Sequence, residues 1–373
     1  MKYKFHYLVG EKKEKRYMTT FNRKNPAYKE EMNKLCKLEL PYENLQNQQI
    51  LVTGANGMIG TYLVDVLMQI NLTMNLQMHI TAQVRETESA KRLFGSYLDR
   101  EDFILIKGDI RKSDWMKDQE WDYIIHGASV TEFQRFTRQP VEVLNTILKG
   151  TTNLLEYMVF HEVDHPVKKL VLLSTALVYG DACGKDMEGF DEEQIGAYDH
   201  LKESSCYIEG KKVAETLCKS FFLEYGVPLS IARFSRVYGA VLSEESQREE
   251  DVTLQNALDR KEIHYTRKNP KLNSYCYLAD AASAILTLML KGEKGEVYNV
   301  SNKESNCTVR GFQRSIAKVF QVPFDGEEEE DVLHRTISKT EIEVINSKKL
   351  QSLGWIPQYD LLSGIRQIKA ILD

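Results

Sequence analysis

The sequence has few of the features that mark several classes of protein. No two of its six cysteines form a Cys-x-x-Cys pair, which in a chain of 373 residues excludes a dense disulfide framework and the usual structural zinc sites. Apolar stretches such as Ala281–Leu290 reach only about ten residues, too short to cross a bilayer. The N-terminus, MKYKFHYLVGEKKEK, lacks the pattern of a signal peptide. We therefore expect a cytoplasmic protein with reduced thiols and no membrane span.

The charge of the chain is modest and unevenly distributed. A formal net charge of −5 argues against a nucleic-acid-binding protein, because such proteins are usually basic. Hydrophobic residues make up 42% of the chain, enough for a large core. Residues 1–47 differ from the rest, since they hold 11 basic and 6 acidic residues. We interpret residues 1–47 as a basic extension that docks on the main domain through an amphipathic helix over Tyr28–Leu40, ended by Pro41.

From Gln48 onward, apolar β-rich segments alternate with helical ones. The candidate strands are Gln49–Thr53, His79–Val84, Phe103–Lys107, Tyr123–His126, Lys169–Ser174 and Leu229–Phe234. The helical stretches between them are Ile59–Ile70, Glu88–Leu98, Val141–Phe160 and Cys206–Tyr225. Strands that are apolar nearly throughout and alternate with helices predict an α/β fold, a Rossmann-type doubly wound parallel sheet.

After Gly239 the alternation loosens, which predicts a second and smaller part of the protein. Its candidate elements are helices over Val252–Asp259, Leu278–Leu290 and Val309–Phe320 and a strand over Glu296–Val300. The acidic block Asp325–Asp331 predicts a solvated loop. We divide the chain into the extension 1–47, a dinucleotide-binding domain 48–239 to which later segments return, and 240–373, mainly a substrate-binding lid and C-terminal region.

A glycine-rich turn follows the first strand. Gly54, Gly57 and Gly60 form a GxxGxxG pattern between that strand and a helix start, with Asn56, Met58 and Ile59 in the same turn. The first glycine allows a tight turn, the second allows close approach of a pyrophosphate, and the third allows close helix packing. Backbone N–H groups and the helix dipole favour the phosphate charge. The turn therefore predicts dinucleotide binding.

Residues at the ends of later strands extend this candidate site. Arg85 stands where an acidic residue would select NAD, so it favours NADP, although an arginine there also suits stacking on adenine. Asp109 is placed to accept a hydrogen bond from the adenine amino group, with Ile110 against the ring. Ala128 and Ser129 end the fourth strand, where small residues let a cofactor pass close to the backbone.

A Tyr-x-x-x-Lys pattern supplies the candidate catalytic pair. Tyr207 and Lys211 share one face of a helix, and a nearby ammonium favours the phenolate form of tyrosine. Such a phenolate is a usable general base for a sugar hydroxyl. Ser174 and Thr175 end a buried strand about thirty residues upstream, where a hydroxyl meets the same substrate oxygen.

Taken together, GxxGxxG, Asp109-Ile110, HGAS, STALVYG, YIEGK and RFSRVYG resemble the extended short-chain dehydrogenase/reductase family, in its nucleotide-sugar epimerase/dehydratase branch. The resemblance covers about residues 48–373. It implies a base (Tyr207), a ligand of the nicotinamide ribose (Lys211), a hydroxyl at the family's Ser/Thr position (Thr175) and NAD or NADP as cofactor. It further implies cofactor contacts from Ser174 and Phe234 and substrate contacts from Thr131, Ala176, Ser235 and Asn273.

The same resemblance implies oxidation of a nucleotide-diphosphate sugar at C4, but it leaves the next step open. Dehydratases of the branch carry Asp-Glu after the catalytic Thr and decarboxylases carry a Glu two residues after it, whereas this chain has Ala176-Leu177. That favours a 4-epimerase. The segment CYIEGKKVAETL resembles UDP-glucuronate decarboxylases more closely than typical epimerases. Ser235 and Asn273 replace the family's usual Asn and Arg, which affects the expected sugar and diphosphate contacts.

Several alternatives therefore remain. We expect a nucleotide-sugar epimerase first, then a decarboxylase, dehydratase or keto-reductase on the same scaffold, then a catalytically silent dinucleotide-binding protein. The histidines lack metal-ligand spacing, so we expect no metal. By the family resemblance we expect a homodimer formed through Val141–Phe160 and Cys206–Tyr225.

Overall fold

The computed structural model describes residues 22–180, 189–196, 198–243, 246–265, 271–325 and 342–373. Its strands are β1 (Gln49–Thr53), β2 (His79–Val84), β3 (Phe103–Lys107), β4 (Tyr123–His126), β5 (Lys169–Thr175), β6 (Leu229–Phe234), β7 (Arg236–Tyr238), β8 (Ile263–His264), β9 (Leu272–Tyr277), β10 (Glu296–Val300), β11 (Asn302–Thr308), β12 (Phe324–Asp325) and β13 (Ile342–Glu343). Its α-helices are α1 (Pro26–Leu35), α2 (Met58–Met74), α3 (Thr87–Leu93), α4 (Phe133–Arg138), α5 (Pro140–Phe160), α6 (Ser205–Tyr225), α7 (Glu249–Leu258), α8 (Leu278–Lys291), α9 (Val309–Phe320), α10 (Lys348–Gln351) and α11 (Leu361–Leu372).

A seven-stranded sheet forms the centre of the fold. Its order is β10-β6-β5-β4-β1-β2-β3, and each pair of neighbours is parallel. The chain runs outward in one direction from β1 to β3 and in the other from β4 to β10, so β1 and β4 flank the switch point. In open α/β sheets the ligand crevice lies outside the carboxyl ends of the strands at this point. The predicted Rossmann-type fold is confirmed.

Alternate residues of the central strands face opposite layers of helices. Ile50 and Val52 of β1 belong to the hydrophobic cluster that contains α2 and α8. Leu51 belongs to the cluster on the other face, which contains α5 and α6. Successive side chains of a strand point to opposite faces, so a strand buried on both sides must be apolar at nearly every position. This is why the strands β1, β2, β4 and β6 were predicted with the bounds observed.

The second part of the molecule contains strands that the sequence pattern did not predict. β9 lies between β11 and β13 in a small sheet, and β7 also pairs with β9. All six residues of β9 are buried, but Asn273 and Ser274 interrupt its apolar pattern. β7 is only three residues long and follows β6 directly. Short strands with buried polar residues carry little periodic signal, which is why they were missed.

All eight predicted helices are present, but the bounds of four of them, α1, α2, α3 and α7, need correction. α2 continues to Met74 rather than Ile70, and α7 starts at Glu249 rather than Val252. α3 ends at Leu93 rather than Leu98, with Gly95 following its last turn. α1 spans Pro26–Leu35 rather than Tyr28–Leu40. The side chain of Asn25 accepts hydrogen bonds from the first backbone N–H groups of α1, and proline is favoured at its first position, so this helix starts early.

The segment 22–47 docks on the main body, as we predicted. Tyr28, Met32 and Leu35 of α1 are buried in the same cluster as α2, α8 and α11. Of the basic extension, residues 1–21 lie outside the described residues, as does the acidic block from residue 326 onward. No helix in the described part of the chain is long and apolar enough to span a bilayer.

Candidate active site

The glycine-rich turn lies at the carboxyl end of β1 and requires glycine at two places. Gly54 has φ +66°, and a Cβ atom there would lie 2.8 Å from Cα of Ala128. A Cβ atom at Gly60 would lie 2.5 Å from the carbonyl oxygen of Gly54. These distances are below van der Waals contact, so the turn and the start of α2 approach each other closely, as predicted. The N-terminus of α2 therefore points its unpaired backbone N–H groups at the turn, where a phosphate binds well.

A buried glutamine that the sequence analysis missed fixes this turn. The side-chain oxygen of Gln83 accepts a hydrogen bond from the backbone N–H of Gly54 at 3.1 Å. Its side-chain nitrogen donates to the carbonyl of Gly108 at 2.6 Å. Gln83 thus connects the ends of β1 and β3 through β2. The sequence feature that could have identified Gln83 is the position of a polar side chain inside the buried strand His79–Val84.

Of the residues predicted to bind the adenosine part of the cofactor, the two charged ones form ion pairs within the protein and the apolar one is buried. Nη1 of Arg85 lies 3.1 Å from a carboxylate oxygen of Glu142, and the Arg85 side chain is about half exposed. Asp109 accepts hydrogen bonds from Nε and Nη2 of Arg111, and these bonds lower the pKa of Asp109. Ile110 is buried against α5, where a Cβ atom on Gly150 would lie 2.9 Å from it. An arginine whose charge is paired with a glutamate is weaker evidence for binding of the 2′-phosphate of NADP than an arginine without such a partner.

The end of β4 combines a neutral histidine with an unpartnered hydroxyl. Nδ1 of His126 lies 2.9 Å from Oγ1 of Thr53. Burial, together with the charge of Lys211, lowers the pKa of His126 to about 3, so the imidazole is neutral. Oγ of Ser129 is buried and has no hydrogen-bond partner among the residues that the structure describes. Such a hydroxyl fits a place that a polar ligand lines.

The predicted catalytic residues meet where β5 ends beside α6. Nζ of Lys211 donates to the carbonyl of Leu173 at 2.7 Å, and it lies 6.0 Å from the centre of the Tyr207 ring. The Tyr207 ring stacks on Phe136 at 4.7 Å, which fixes its orientation. A side-chain hydrogen bond joins Tyr207 to Thr175. The structure therefore brings all three predicted catalytic residues together.

Burial shifts the pKa of both members of this pair. The pKa of Tyr207 is raised to about 12 by burial, while the charge of Arg248 and the hydrogen bond from Thr175 oppose the rise. The pKa of Lys211 is lowered to about 8 by burial, while the charge of Glu215 opposes the fall. At neutral pH the ligand-free site thus holds an ammonium and a neutral phenol. Added positive charge near the phenol is what makes it a base.

The predicted substrate residues fall into two groups. Thr131 is exposed, Ala176 is partly buried, and Oγ of Ser235 is buried with no partner in the described part of the chain. Asn273 is instead engaged within the protein, because its Oδ1 accepts from Arg236 at 3.2 Å and its Nδ2 donates to the carbonyl of Lys271 at 2.8 Å. The predicted cofactor residue Phe234 is buried in the core.

The sequence analysis missed two further charged residues at the site. Glu215 accepts a hydrogen bond from Oγ of Ser174 at 2.5 Å and forms a salt bridge with Arg233 at 2.7 Å. Arg248 precedes α7, with Nη1 3.5 Å from the sulfur of Met58 in the glycine-rich turn. The spacing of Glu215, four residues after Lys211, placed it on the same helix face and was a usable signal.

Comparisons with known proteins place the chain among related sequences. The model of the NAD dependent epimerase/dehydratase family matches residues 50–301. UDP-glucuronic acid decarboxylase 6 of Arabidopsis thaliana is 26% identical over 322 residues, 86% of this chain and 87% of that protein. Human dTDP-D-glucose 4,6-dehydratase is 24% identical over 333 residues, 86% of this chain and 88% of that protein.

Solved structures show the same fold. The dTDP-glucose 4,6-dehydratase of Bacillus anthracis, in complex with NAD, has a TM-score of 0.68 and 22% identity, over 87% of this chain and 96% of that one. The UDP-glucose 4-epimerase of Thermotoga maritima, with UDP-glucose, has a TM-score of 0.67 and 21% identity, over 86% and 98%. With a family model matching more than half of its length, this chain belongs to the NAD dependent epimerase/dehydratase family and is an enzyme of that family.

Proposed function

We propose that this protein is an NAD-dependent nucleotide-sugar 4-epimerase that acts through a transient 4-keto sugar. The chemistry that NAD supplies when bound is the acceptance and return of a hydride. The buried hydroxyl of Ser129, which has no partner within the described ranges, and the close-packed turn at Gly54 and Gly60 fit such a cofactor. The residues we assign to hold it are Gly54, Asn56, Gly57, Met58, Ile59, Gly60, Arg85, Asp109, Ile110, Ala128, Ser129, Ser174, Tyr207, Lys211 and Phe234.

Each catalytic side chain has a distinct part in this proposal. The phenol oxygen of Tyr207 takes the proton from the sugar C4 hydroxyl and later returns it. Thr175, hydrogen-bonded to Tyr207, orients that hydroxyl. Lys211 contributes a positive charge and binds the nicotinamide ribose. Because burial raises the pKa of Tyr207 to about 12, the phenolate depends on positive charge brought by Lys211, Arg248 and the bound cofactor.

The observation that carries the epimerase proposal is the lack of a catalytic carboxylate after Thr175. Ala176 and Leu177 occupy the two positions where the other reactions of the family place an acid. The buried carboxylate of Glu215 is engaged by Ser174 and Arg233. Elimination of water, or a reaction at carbon C5 of the sugar, requires a positioned acid or base. In contrast, 4-epimerisation requires only the phenol of Tyr207, the hydroxyl of Thr175 and space for the keto sugar to turn.

A second candidate is decarboxylation of a nucleotide-linked uronic acid. Two observations favour it. The positive charge of Arg248 acts on the Tyr207 phenol and is suited to a substrate carboxylate, although Arg248 also lies 3.7 Å from Glu250 and 3.8 Å from Asp251. The relatives named above include a UDP-glucuronic acid decarboxylase that the chain matches over most of its length.

One experiment separates these activities. Purified protein is incubated with NAD and a panel of UDP-, dTDP-, CDP- and GDP-sugars in D2O, and the products are identified by mass spectrometry and NMR. An epimerase gives a product of unchanged mass that is inverted at C4 and carries no solvent deuterium on carbon. Release of CO2 or water, net NAD reduction, or consumption of added NADPH with a keto sugar would contradict this proposal. Bound cofactor without turnover would identify a silent dinucleotide-binding protein.

We also propose that the chain forms a homodimer through α5 and α6. These helices pack side by side, and Val213 and Leu223 of α6 are exposed at 45% and 73%. Apolar side chains exposed on a helix pair of this kind suit a second copy of the same surface. Light scattering after gel filtration should give twice the chain mass, and Leu223→Glu should shift the protein to the mass of one chain. A wild-type mass of one chain would contradict the dimer.

A further inference from the structure

Glu215 occupies an unusual place for a carboxylate. It lies on α6 four residues after Lys211, and only 8% of it is exposed. Oγ of Ser174, at the end of β5, donates to it at 2.5 Å. Arg233 of β6 donates to it from Nη2 at 2.7 Å and from Nε at 3.1 Å. Three elements that surround the catalytic pair therefore meet at one carboxylate.

The electrostatic surroundings of Lys211 give this carboxylate a function. The other titratable or charged groups around Lys211 and its partners are Tyr207 and Cys218 on α6, His126 on β4 and Arg233 on β6. His126 is neutral, because burial lowers its pKa to about 3. Burial also raises the pKa of the Cys218 thiol, which keeps it neutral. In contrast to these groups, Glu215 supplies a carboxylate whose charge raises the pKa of Lys211 against the effect of burial.

The hydrogen bonds give Glu215 a second, geometric function. Ser174 directly precedes Thr175, and Lys211 donates to the carbonyl of Leu173, on the other side of Ser174. The end of β5 is therefore held against α6 at consecutive residues, by the ammonium of Lys211 and by the carboxylate of Glu215. Thr175, whose side chain hydrogen-bonds with Tyr207, is the next residue of the strand after these two.

We propose that Glu215 is a positioning residue for the reaction: it keeps Lys211 protonated and holds Ser174 and Thr175 in register with Tyr207. This rests on the proposed function, because it takes Lys211 as the ligand of the nicotinamide ribose. Arg233 contributes to the same arrangement, because its positive charge offsets the cost of burying the Glu215 carboxylate. Its remaining donors bind the hydroxyl of Tyr179 and the carbonyl of Glu192, so its own position is fixed.

The test measures NAD binding against pH, a readout that needs no turnover and no knowledge of the sugar. The dissociation constant of NAD is determined by calorimetry for the full-length wild type, Glu215→Gln and the control Glu209→Gln. Glu209 lies on the same helix and pairs with Lys212 on its surface. In the wild type, affinity should fall as pH rises and Lys211 loses its proton. In Glu215→Gln this fall should begin about one pH unit lower, which makes binding about tenfold weaker on the alkaline side.

The control and two further variants make the result decisive. Glu209→Gln should follow the wild-type curve, and Glu215→Asp, which keeps the charge, should restore the wild-type alkaline limb. If Glu215→Gln does not fold because Arg233 is left unpaired, the double variant Glu215→Gln/Arg233→Gln removes that charge and should show the same shift to lower pH. A folded Glu215→Gln or double variant with the wild-type pH curve would overturn the proposal, even if its thermal stability is lower. Because binding is measured, this outcome is independent of whether the protein proves to be an epimerase.

Discussion

The catalytic face of α6 and the N-terminal helix α1 both bury a glutamate, but they surround it differently. Glu215 forms a salt bridge with Arg233, whereas Glu31 accepts hydrogen bonds from the phenols of Tyr62 at 2.5 Å and Tyr277 at 2.8 Å. Burial raises the pKa of Glu31 to about 7, and the phenols oppose this rise only in part. A cation beside a buried carboxylate favours its charged form, whereas neutral hydrogen-bond donors offset the effect of burial only in part.

This difference separates a region built for chemistry from one built for attachment. Around Tyr207 and Lys211 the buried charges act on a proton-transferring pair. Around α1 the buried polar groups join the extension to the main body, since Tyr62 comes from α2 and Tyr277 from β9. Replacement of Tyr207 should alter the rate with little loss of stability, and replacement of a buried apolar residue of α1 should do the reverse.

The largest effect on rate is expected from Tyr207→Phe. Loss of the phenol removes the proposed general base, so kcat should fall by about 10²–10⁴-fold. The phenyl ring keeps its stacking on Phe136, so the melting temperature should change little. Steady-state kinetics and a thermal melt measure the two quantities, with Tyr198→Phe, before the start of α6, as the control. Near-normal kcat in Tyr207→Phe would remove this residue from the mechanism.

The largest effect on stability is expected from Met32→Ala in α1. Met32 is 4% exposed and packs in the main core, so its truncation should cost about 2–5 kcal/mol of unfolding free energy. The value of kcat should stay close to that of the wild type. Urea unfolding measures the loss, and Lys34→Ala on the exposed side of α1 is the control. A large fall in kcat of Met32→Ala without a loss of stability would contradict the proposed difference between the two regions.

A pH-dependent effect is expected from Glu31→Gln. Because the folded-state pKa of Glu31 lies above its ordinary value of 4.5, the folded protein binds more protons than the unfolded one between about pH 4.5 and about pH 7. As the pH rises through this window, the free energy of unfolding of the wild type should therefore fall by up to about 3 kcal/mol relative to that of Glu31→Gln. Urea unfolding at about pH 5 and about pH 8 measures it. Glu30→Gln, on the exposed side of α1, should not show it, and a parallel pH dependence of wild type and Glu31→Gln would refute the prediction.

The smallest effect is expected from Asn273→Ala. This change leaves Nε of Arg236 without its partner, so it should cost about 1 kcal/mol of stability. The KM for the sugar should not rise, because the Asn273 side chain is already engaged within the protein. Ser235→Ala is the matched comparison: its buried hydroxyl has no partner in the described ranges, so its loss should raise KM without loss of stability. A raised KM in Asn273→Ala would contradict this prediction and indicate that Asn273 contacts the substrate.

The central sheet could be predicted from the sequence because its burial on both faces requires apolar residues at successive positions. The helices that cover it followed from their periodicity, as for α5 at Pro140–Phe160. The catalytic trio followed from local spacing and from the topology of parallel strands, whose carboxyl ends share one edge. Each of these signals lies within a short segment of the chain.

The features that were missed depend on contacts between segments distant in sequence. The pairing of Glu31 with Tyr277 joins residues 246 positions apart, and no local pattern reports it. Gln83 is a single polar residue in a buried strand, and its meaning appears only when Gly54 and Gly108 are placed beside it. The same holds for Asn273, whose partner Arg236 comes from a neighbouring strand. Such partners decide whether a polar residue meets the substrate or the protein.

The central claim is tested most directly with a nucleotide sugar that carries deuterium at C4. The protein is incubated with this substrate and NAD, and the position of the label in the product is read by NMR. We expect a product inverted at C4 that keeps the deuterium on C4, with loss of this conversion in Tyr207→Phe. A label found at another carbon, or a product that has lost CO2 or water, would contradict it.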